Sequence, residues 1–315
     1  MGTKVKNIII RMLVYIFIVV LTMVISALVY FSFILPDKAL GPYKTTWNDG
    51  VGSVLKDLHY GEGEMQNYDL YLPANKQAHA LILFIHGGSF TAGDKTDEDA
   101  RCKFFTSKGY VTATANYSLA GKVEGANLNM MYEELYQCVS ALKEKCVAEG
   151  YQIDGMALSG ESAGGCLAML YAYRVGDNSP IPVKLVFQQT GPADFAPEMW
   201  NCQTDDDKAA FVSAMTGVPL TEADVRSGRY LEVASEISPA SLVDSTSVPT
   251  VCAYGPKDKI VPVDLKFKLF DSFKRHGVIF EYIEFPNSGH AMLSDRDKFE
   301  EYVQKSLQFC ENYLK

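Results

Sequence analysis

Ser162 lies in Gly160-Glu161-Ser162-Ala163-Gly164-Gly165, between the short apolar run Met156-Ala157-Leu158 and the helix-like Cys166-Leu167-Ala168-Met169-Leu170. A serine on a sharp strand-to-helix turn is held in a strained backbone conformation, and its neighbours must be small for the turn to close. Gly160, Ala163 and Gly164 meet that need. Such a turn lifts the hydroxyl above the edge of a sheet. It also aims a helix N-terminus, with its partial positive charge, at any oxyanion forming there. The chemistry served by this arrangement is attack of a serine oxygen on a carbonyl carbon.

A second segment, His86-Gly87-Gly88-Ser89-Phe90, follows Ala80-Leu81-Ile82-Leu83-Phe84-Ile85, which reads as a buried parallel strand. Glycines after a strand let the backbone turn and bring its N–H groups close to a reacting carbonyl. The expected oxyanion donors are the N–H groups of Ala163, Gly88 and Ser89. His86, Gly87, Gly160 and Gly164 are expected to shape the supporting loops.

Attack by Ser162 requires a base, and a nucleophile turn of this kind is followed in chain order by an acid and then a histidine. Of His59, His79, His86, His276 and His290, only the last two follow Ser162. His276, in Lys274-Arg275-His276-Gly277, reads as a helix end, where a polar residue complements the dipole. His290, in Pro286-Asn287-Ser288-Gly289-His290, lies on a loop after the strand-like Phe280–Phe285. Catalytic groups of open α/β sheets gather at such positions, so His290 is the expected base. Asp258, in the loop after Val251–Tyr254, is the expected acid, able to accept the imidazole N–H and fix its tautomer. Asp194, after another strand, is its most serious rival. Asp264 reads as the first turn of a helix, and Asp244 precedes the strand, at the wrong end of the sheet.

The elements that must hold these residues alternate. Strands are expected at Asn67–Leu72, Ala80–Ile85, Val111–Asn116, Met156–Leu158 and Val183–Gln188, with a long helix from about Asn127 to Glu149. Met131, Leu135, Cys138, Val139 and Leu142 give that helix one apolar face. This alternation implies an α/β fold, its sheet mostly parallel with helices on both faces. Residues 192–247 exceed a simple crossover and are expected to form a small helical cap, with short helices at Ala209–Met215 and Glu222–Arg226. Asp205-Asp206-Asp207 reads as a solvated helix start and not as a metal site.

These segments, with Asn116-Tyr117-Ser118-Leu119 and Ser288-Gly289-His290, resemble the α/β-hydrolase superfamily over roughly residues 65–315. The nearest groups are the hormone-sensitive-lipase-like acetylesterases and the feruloyl-esterase-like bacterial carboxylesterases. Ser89 stands where the first group usually has a third glycine, and Glu161 where an aspartate is frequent. The resemblance implies a serine carboxylesterase acting on short-chain acyl esters through Ser162, His290 and Asp258, with no metal or organic cofactor. The alternatives are an amide, formamide or peptide hydrolase using the same three residues, and a catalytically silent domain serving as an interaction module.

The chain has 315 residues, 48% of them apolar, and a net charge of −9. Lys4, Lys6, Arg11 and Lys38 stand against Asp37 alone in residues 1–38, so the remainder is still more acidic and gives no reason to expect nucleic-acid binding. Residues 12–35 carry no charge. As a helix they span about 36 Å, against a hydrocarbon core of ~30 Å. With the basic residues on their N-terminal side, they are expected to be a single-pass anchor that leaves residues 1–11 cytoplasmic and the catalytic domain outside. A cleaved signal peptide, giving a secreted protein, is the alternative. Residues 36–65 read as a linker and lead-in, and 66–315 as the hydrolase domain. Seven cysteines show no metal-ligand spacing. Oligomeric state has no signature in the sequence.

Overall fold

Ala80–Ile85 is six apolar residues in succession, and all six are buried. A strand of this kind needs cover on both faces. The computed structural model, which describes residues 22–23 and 41–314, places it third among eight strands in sequence and fourth across the sheet. The strands are β1 (Gly52–His59), β2 (Asn67–Pro73), β3 (Ala80–Ile85), β4 (Val111–Ala115), β5 (Gly155–Glu161), β6 (Val183–Gln189), β7 (Thr250–Tyr254) and β8 (Phe280–Glu284). Their spatial order is β1-β2-β4-β3-β5-β6-β7-β8. β1 pairs antiparallel with β2, and β2 antiparallel with β4. From β4 to β8 every pairing is parallel, so the carboxyl ends of β3, β5, β6 and β7 share one edge.

Helices cover both faces. In chain order they are α1 (Asp99–Ser107), α2 (Leu128–Ala148), α3 (Ala163–Val175), α4 (Asp205–Thr216), α5 (Glu222–Ser227), α6 (Arg229–Ser235), α7 (Pro239–Leu242), α8 (Leu265–His276) and α9 (Arg296–Tyr313). Alternate residues of a strand point to opposite faces, and β3 shows the result. Leu81, Leu83 and Ile85 join a core that includes Leu135, Val139 and Leu142 of α2 and Leu167 and Leu170 of α3. Phe84 instead meets Phe105 of α1 and Phe187 of β6, with ring centroids 5.5 and 6.0 Å apart. The expected apolar stripe of α2 is the buried one, and the Asn127 side chain caps the helix by accepting from Met130 N at 3.1 Å.

The insertion at 192–247 holds α4 to α7. Ala209, Val212, Val225, Tyr230, Val233 and Ala234 form a small apolar cluster of their own there. The aspartates 205–207 are the first turn of α4, where Thr204 and Asp207 make a reciprocal cap. Cys138 and Cys146 both lie on α2, and all seven cysteines are free thiols.

One expectation needs correction. Residues 36–65, read as a linker, contain β1, and the larger compact unit begins at Tyr43. β1 escapes a pattern reading because it is an edge strand with mixed exposure and an irregularity between Leu55 and Leu58. Asp57 takes a positive φ of 53° there. Its carboxylate and that of the fully buried Asp69 both hold Lys95 Nζ. The expected anchor at 12–35 falls outside the described residues, apart from Thr22 and Met23, which are helical. Among the described residues no helix is long and apolar enough to cross a membrane.

A chain starting at Tyr43 should therefore fold, whereas one starting at residue 66 loses β1 and the Asp57–Lys95 bond. Loss of a whole strand uncovers the β2 edge that pairs with it from Gly52 to His59. The shorter chain is expected to melt at least about 10 °C lower by circular dichroism. Equal melting of the two chains would show that residues 43–65 are a passive linker after all.

Candidate active site

β5 ends at Glu161 and α3 begins at Ala163, so a single residue, Ser162, makes the turn. Its backbone sits at φ 53°, ψ −123°, a region that side-chain-bearing residues rarely occupy. Two hydrogen bonds hold it there. Ser162 N donates to Gln189 O at 2.8 Å, and Cys166 N to Ser162 O at 3.0 Å. The small neighbours are required by contact. A Cβ on Gly160 would lie 2.6 Å from Ile85 O, and one on Gly164 would overlap Ile85 O and lie 2.6 Å from His86 O.

His290 Nε2 is 2.8 Å from Ser162 Oγ, and His290 Nδ1 is 2.7 Å from Asp258 Oδ2. Burial alone would raise the Asp258 carboxyl. Hydrogen bonds from His290 and from the N–H groups of Ile260 and Val261, at 2.8 and 3.0 Å, outweigh it and hold the group below its ordinary value. Asp258 therefore stays ionised at neutral pH and accepts from Nδ1–H. That choice of tautomer leaves the Nε2 lone pair facing the serine hydroxyl.

The His290 loop is fixed from behind by Asp295. Its carboxylate accepts from Ser288 Oγ at 2.6 Å, Asn287 N at 3.0 Å and Asn287 Nδ2 at 2.9 Å. No sequence signal pointed to Asp295, because its partners are single polar residues on an irregular loop.

The residues expected to shape the oxyanion site come together at the end of β3. His86 is fully buried and stacks on Tyr117, with centroids 4.4 Å apart and planes within 11°. Its Nδ1 lies 2.8 Å from Gly87 O, and Tyr117 Oη donates to His86 O at 2.9 Å. Burial pushes the His86 imidazole down, so at neutral pH it is uncharged and braces the turn. Gly88, Ser89 and Phe90 all have positive φ, 114°, 54° and 63°. A Cβ on Gly87 would lie 3.5 Å from Ser162 Cβ, which measures how closely the loop approaches the Ser162 turn.

A cavity of about 140 Å³ opens beside Ser162, with Ser89 and Ala163 also in its wall. The rest of its lining is mostly apolar and comes largely from residues 192–247. Phe195 and Trp200 stack at 5.7 Å, and Trp200 meets Phe211 of α4 at 5.8 Å. Ile260 and Val261, two and three residues beyond Asp258, also line the cavity.

The rivals lie elsewhere. Asp194 accepts from Ala196 N at 2.7 Å and pairs with Lys268 at 3.0 Å. Asp244 bonds within its own turn to Thr246 and Ser247. Asp264 immediately precedes α8, and His276 is the last residue of that helix.

A family model described as BD-FAE matches residues 68–272. Kynurenine formamidase of Salmo salar is 27% identical over 122 residues, 38% of this chain and 39% of that protein. The chain thus spans about two fifths of the length of that curated relative. Esterase B from Lactobacillus rhamnosis superposes with a TM-score of 0.65 at 17% identity, covering 91% of this chain and 96% of the other. A truncated carbohydrate esterase from gut microbiota gives a TM-score of 0.67 at 18% identity, covering 84% and 100%. The shared architecture is α/β-hydrolase-like.

If Asp258 sets the tautomer of His290, Asp258→Asn should slow acylation of Ser162 by a chromogenic aryl ester by about 10³–10⁴. Asp194→Asn should stay within about threefold. The reverse ranking in stopped-flow acylation would assign the acid to Asp194.

Proposed function

This chain belongs to the BD-FAE family, and we propose that within it the chain acts as a serine carboxylesterase on esters with short acyl groups. The observation that carries the reading is the continuous hydrogen-bonded relay Ser162–His290–Asp258, at 2.8 and 2.7 Å, opening on an apolar cavity. Ser162 Oγ attacks the ester carbonyl while its proton passes to His290 Nε2. The imidazolium is stabilised by Asp258. The N–H groups of Ala163, Ser89 and Gly88 receive the oxyanion, each donor of this kind being worth ~2.7–4 kcal/mol in the transition state. Collapse of the tetrahedral intermediate breaks the C–O bond, and the alcohol leaves with the proton from His290. Water then gives its proton to His290, attacks the acyl-enzyme and releases the acid. The cavity's volume of about 140 Å³ suits an acyl group of a few carbons better than a long chain.

The likeness to kynurenine formamidase favours a second reading, in which the same residues cleave a formamide. The acyl group is then formyl, and the cavity would be largely unfilled.

The test is a series of aryl esters from acetyl to decanoyl beside an aryl formamide. Turnover should peak at two to four acyl carbons and exceed that of the formamide. Ser162→Ala should abolish it in a folded protein. Turnover by that variant, or faster formamide cleavage, would displace the ester reading.

Residues 12–35, supported by their uncharged length and basic N-terminal flank, are proposed to anchor the enzyme with its catalytic domain outside the cytoplasmic membrane. Full-length protein should sediment with membranes, and protease added to intact cells should shave off the catalytic domain. Recovery in the soluble fraction would contradict the anchor.

A further inference from the structure

The cavity beside Ser162 takes in Ala163 and Ser89, two of the expected oxyanion donors, but His290 is not in its wall. In ester cleavage the leaving oxygen collects its proton from the histidine. The alcohol must therefore lie toward His290, and the acyl group toward the cavity. Apart from Ser89 and Ser162 the lining is apolar, so a charged or hydroxylated acyl group would give up water there without gaining a partner. Length is then the property the cavity can measure, and its bulkiest lining side chain is Trp200.

Trp200 ends a single 3₁₀ turn, Pro197–Trp200. Pro197 opens the turn with its fixed φ, and Asn201, at φ 61°, leads the chain away from it. The Phe195 ring lies parallel to the indole at 5.7 Å, with planes within 7°, and the Phe211 ring is 5.8 Å away. Indole Nε1 donates to Asp194 O at 2.9 Å. Asp194 is a carboxylate that the relay does not use, with its side chain only 10% exposed. Its Oδ1 accepts from Ala196 N at 2.7 Å and from Lys268 Nζ of α8 at 3.0 Å. Phe195 N donates to Ser238 Oγ at 2.9 Å. Glu198, in the same turn as Trp200, accepts from Tyr230 Oη at 2.6 Å and from Lys208 Nζ at 2.9 Å, which ties the turn to α6 and α4. An indole held in this way cannot give way to a longer chain without breaking one of these contacts.

We propose that Trp200 is a specificity-determining residue of this site: its indole closes the acyl cavity and sets the upper length limit of the acyl group. The Asp194–Lys268 pair, neither member of which lines the cavity, is the mount for that indole. Asp194 thereby has a task distinct from that of a catalytic acid. This inference rests on the ester-hydrolysis reading above.

The test is Trp200→Ala, assayed with two substrate series: aryl esters from acetyl to decanoyl, and acetyl esters of alcohols from methanol to octanol. One methylene more or less in an apolar pocket changes kcat/KM by about 10–200-fold. Removal of the indole should therefore raise the octanoyl-to-butyryl ratio of kcat/KM at least about tenfold and move the optimum beyond butyryl. The profile across the alcohols should keep its shape. Trp200→Phe, which keeps a ring but loses the bond to Asp194 O, should give a smaller shift in the same direction. If Trp200→Ala does not fold, Trp200→Leu, which keeps an apolar cover, carries the same test. A purely structural role would lower kcat/KM by one factor at every acyl length, and that result overturns the proposal. A shift confined to the alcohol series overturns it too, because it would put the alcohol in the cavity. A wild type that cleaves short esters, beside a variant with an unchanged acyl profile, removes this inference alone. A wild type that turns over no ester removes it together with the reading it rests on.

Discussion

The site depends on one close approach. The N-terminus of α3 presses against the carboxyl end of β3, so closely that a methyl group on Gly164 would overlap Ile85 O and lie 2.6 Å from His86 O. That contact brings the turn holding Ser162 against the Gly87–Ser89 loop, and the two halves of the site exist only because both lack side chains there. Gly160 is constrained by the same carbonyl, with Ile85 O 2.6 Å from where its Cβ would be. The unfavourable φ of Ser162 is stored strain of the kind that persists only where surrounding contacts over-determine the backbone. The β5 ladder, the helix start and the Gln189 carbonyl do so here.

Charge is handled differently at Asp258 and at Glu161. Asp258 is nearly enclosed, its side chain 4% exposed, and is kept ionised by direct hydrogen bonds from the imidazole and two backbone N–H groups. Glu161 is half open to water and is held by Arg101 at 2.6 Å, itself paired with the buried Glu98. A third cluster, Asp57–Lys95–Asp69, lies beneath the loop that follows Phe90. Lys95 N also donates to Asn116 Oδ1 at 2.7 Å. The glycine-rich turn is thereby tied to β1, β2 and the end of β4, so the far edge of the sheet takes part in holding the Gly87–Ser89 loop.

The residues legible in the sequence were those whose signal is local. Ser162 is announced by small neighbours at fixed offsets, and His290 and Asp258 by chain order and by their position after buried strands. The three are 128 and 32 residues apart in sequence, yet parallel strands bring their C-terminal loops to one edge, which a strand-by-strand reading can anticipate. β1 was missed because a bulged, half-exposed edge strand has no clean period of two. Arg101, Glu98 and Asp295 were missed for a related reason: nothing nearby in sequence distinguishes a buried ion-pair residue from a solvated one. Their roles follow from partners such as Glu161, 60 residues away. The cap's short helices could be read at Ala209–Met215 and Glu222–Arg226, but not which of the insertion's aromatics would line the cavity.

The central claim is that Ser162 is the nucleophile, made reactive by His290. It is tested most directly by treating the purified protein with a fluorophosphonate and locating the adduct by mass spectrometry. One phosphonyl group should be found per chain, on Ser162 of the peptide spanning the β5–α3 turn, and His290→Ala should slow its formation by at least about a hundredfold. An adduct on another residue, or none on a folded protein that still hydrolyses esters, would contradict the account.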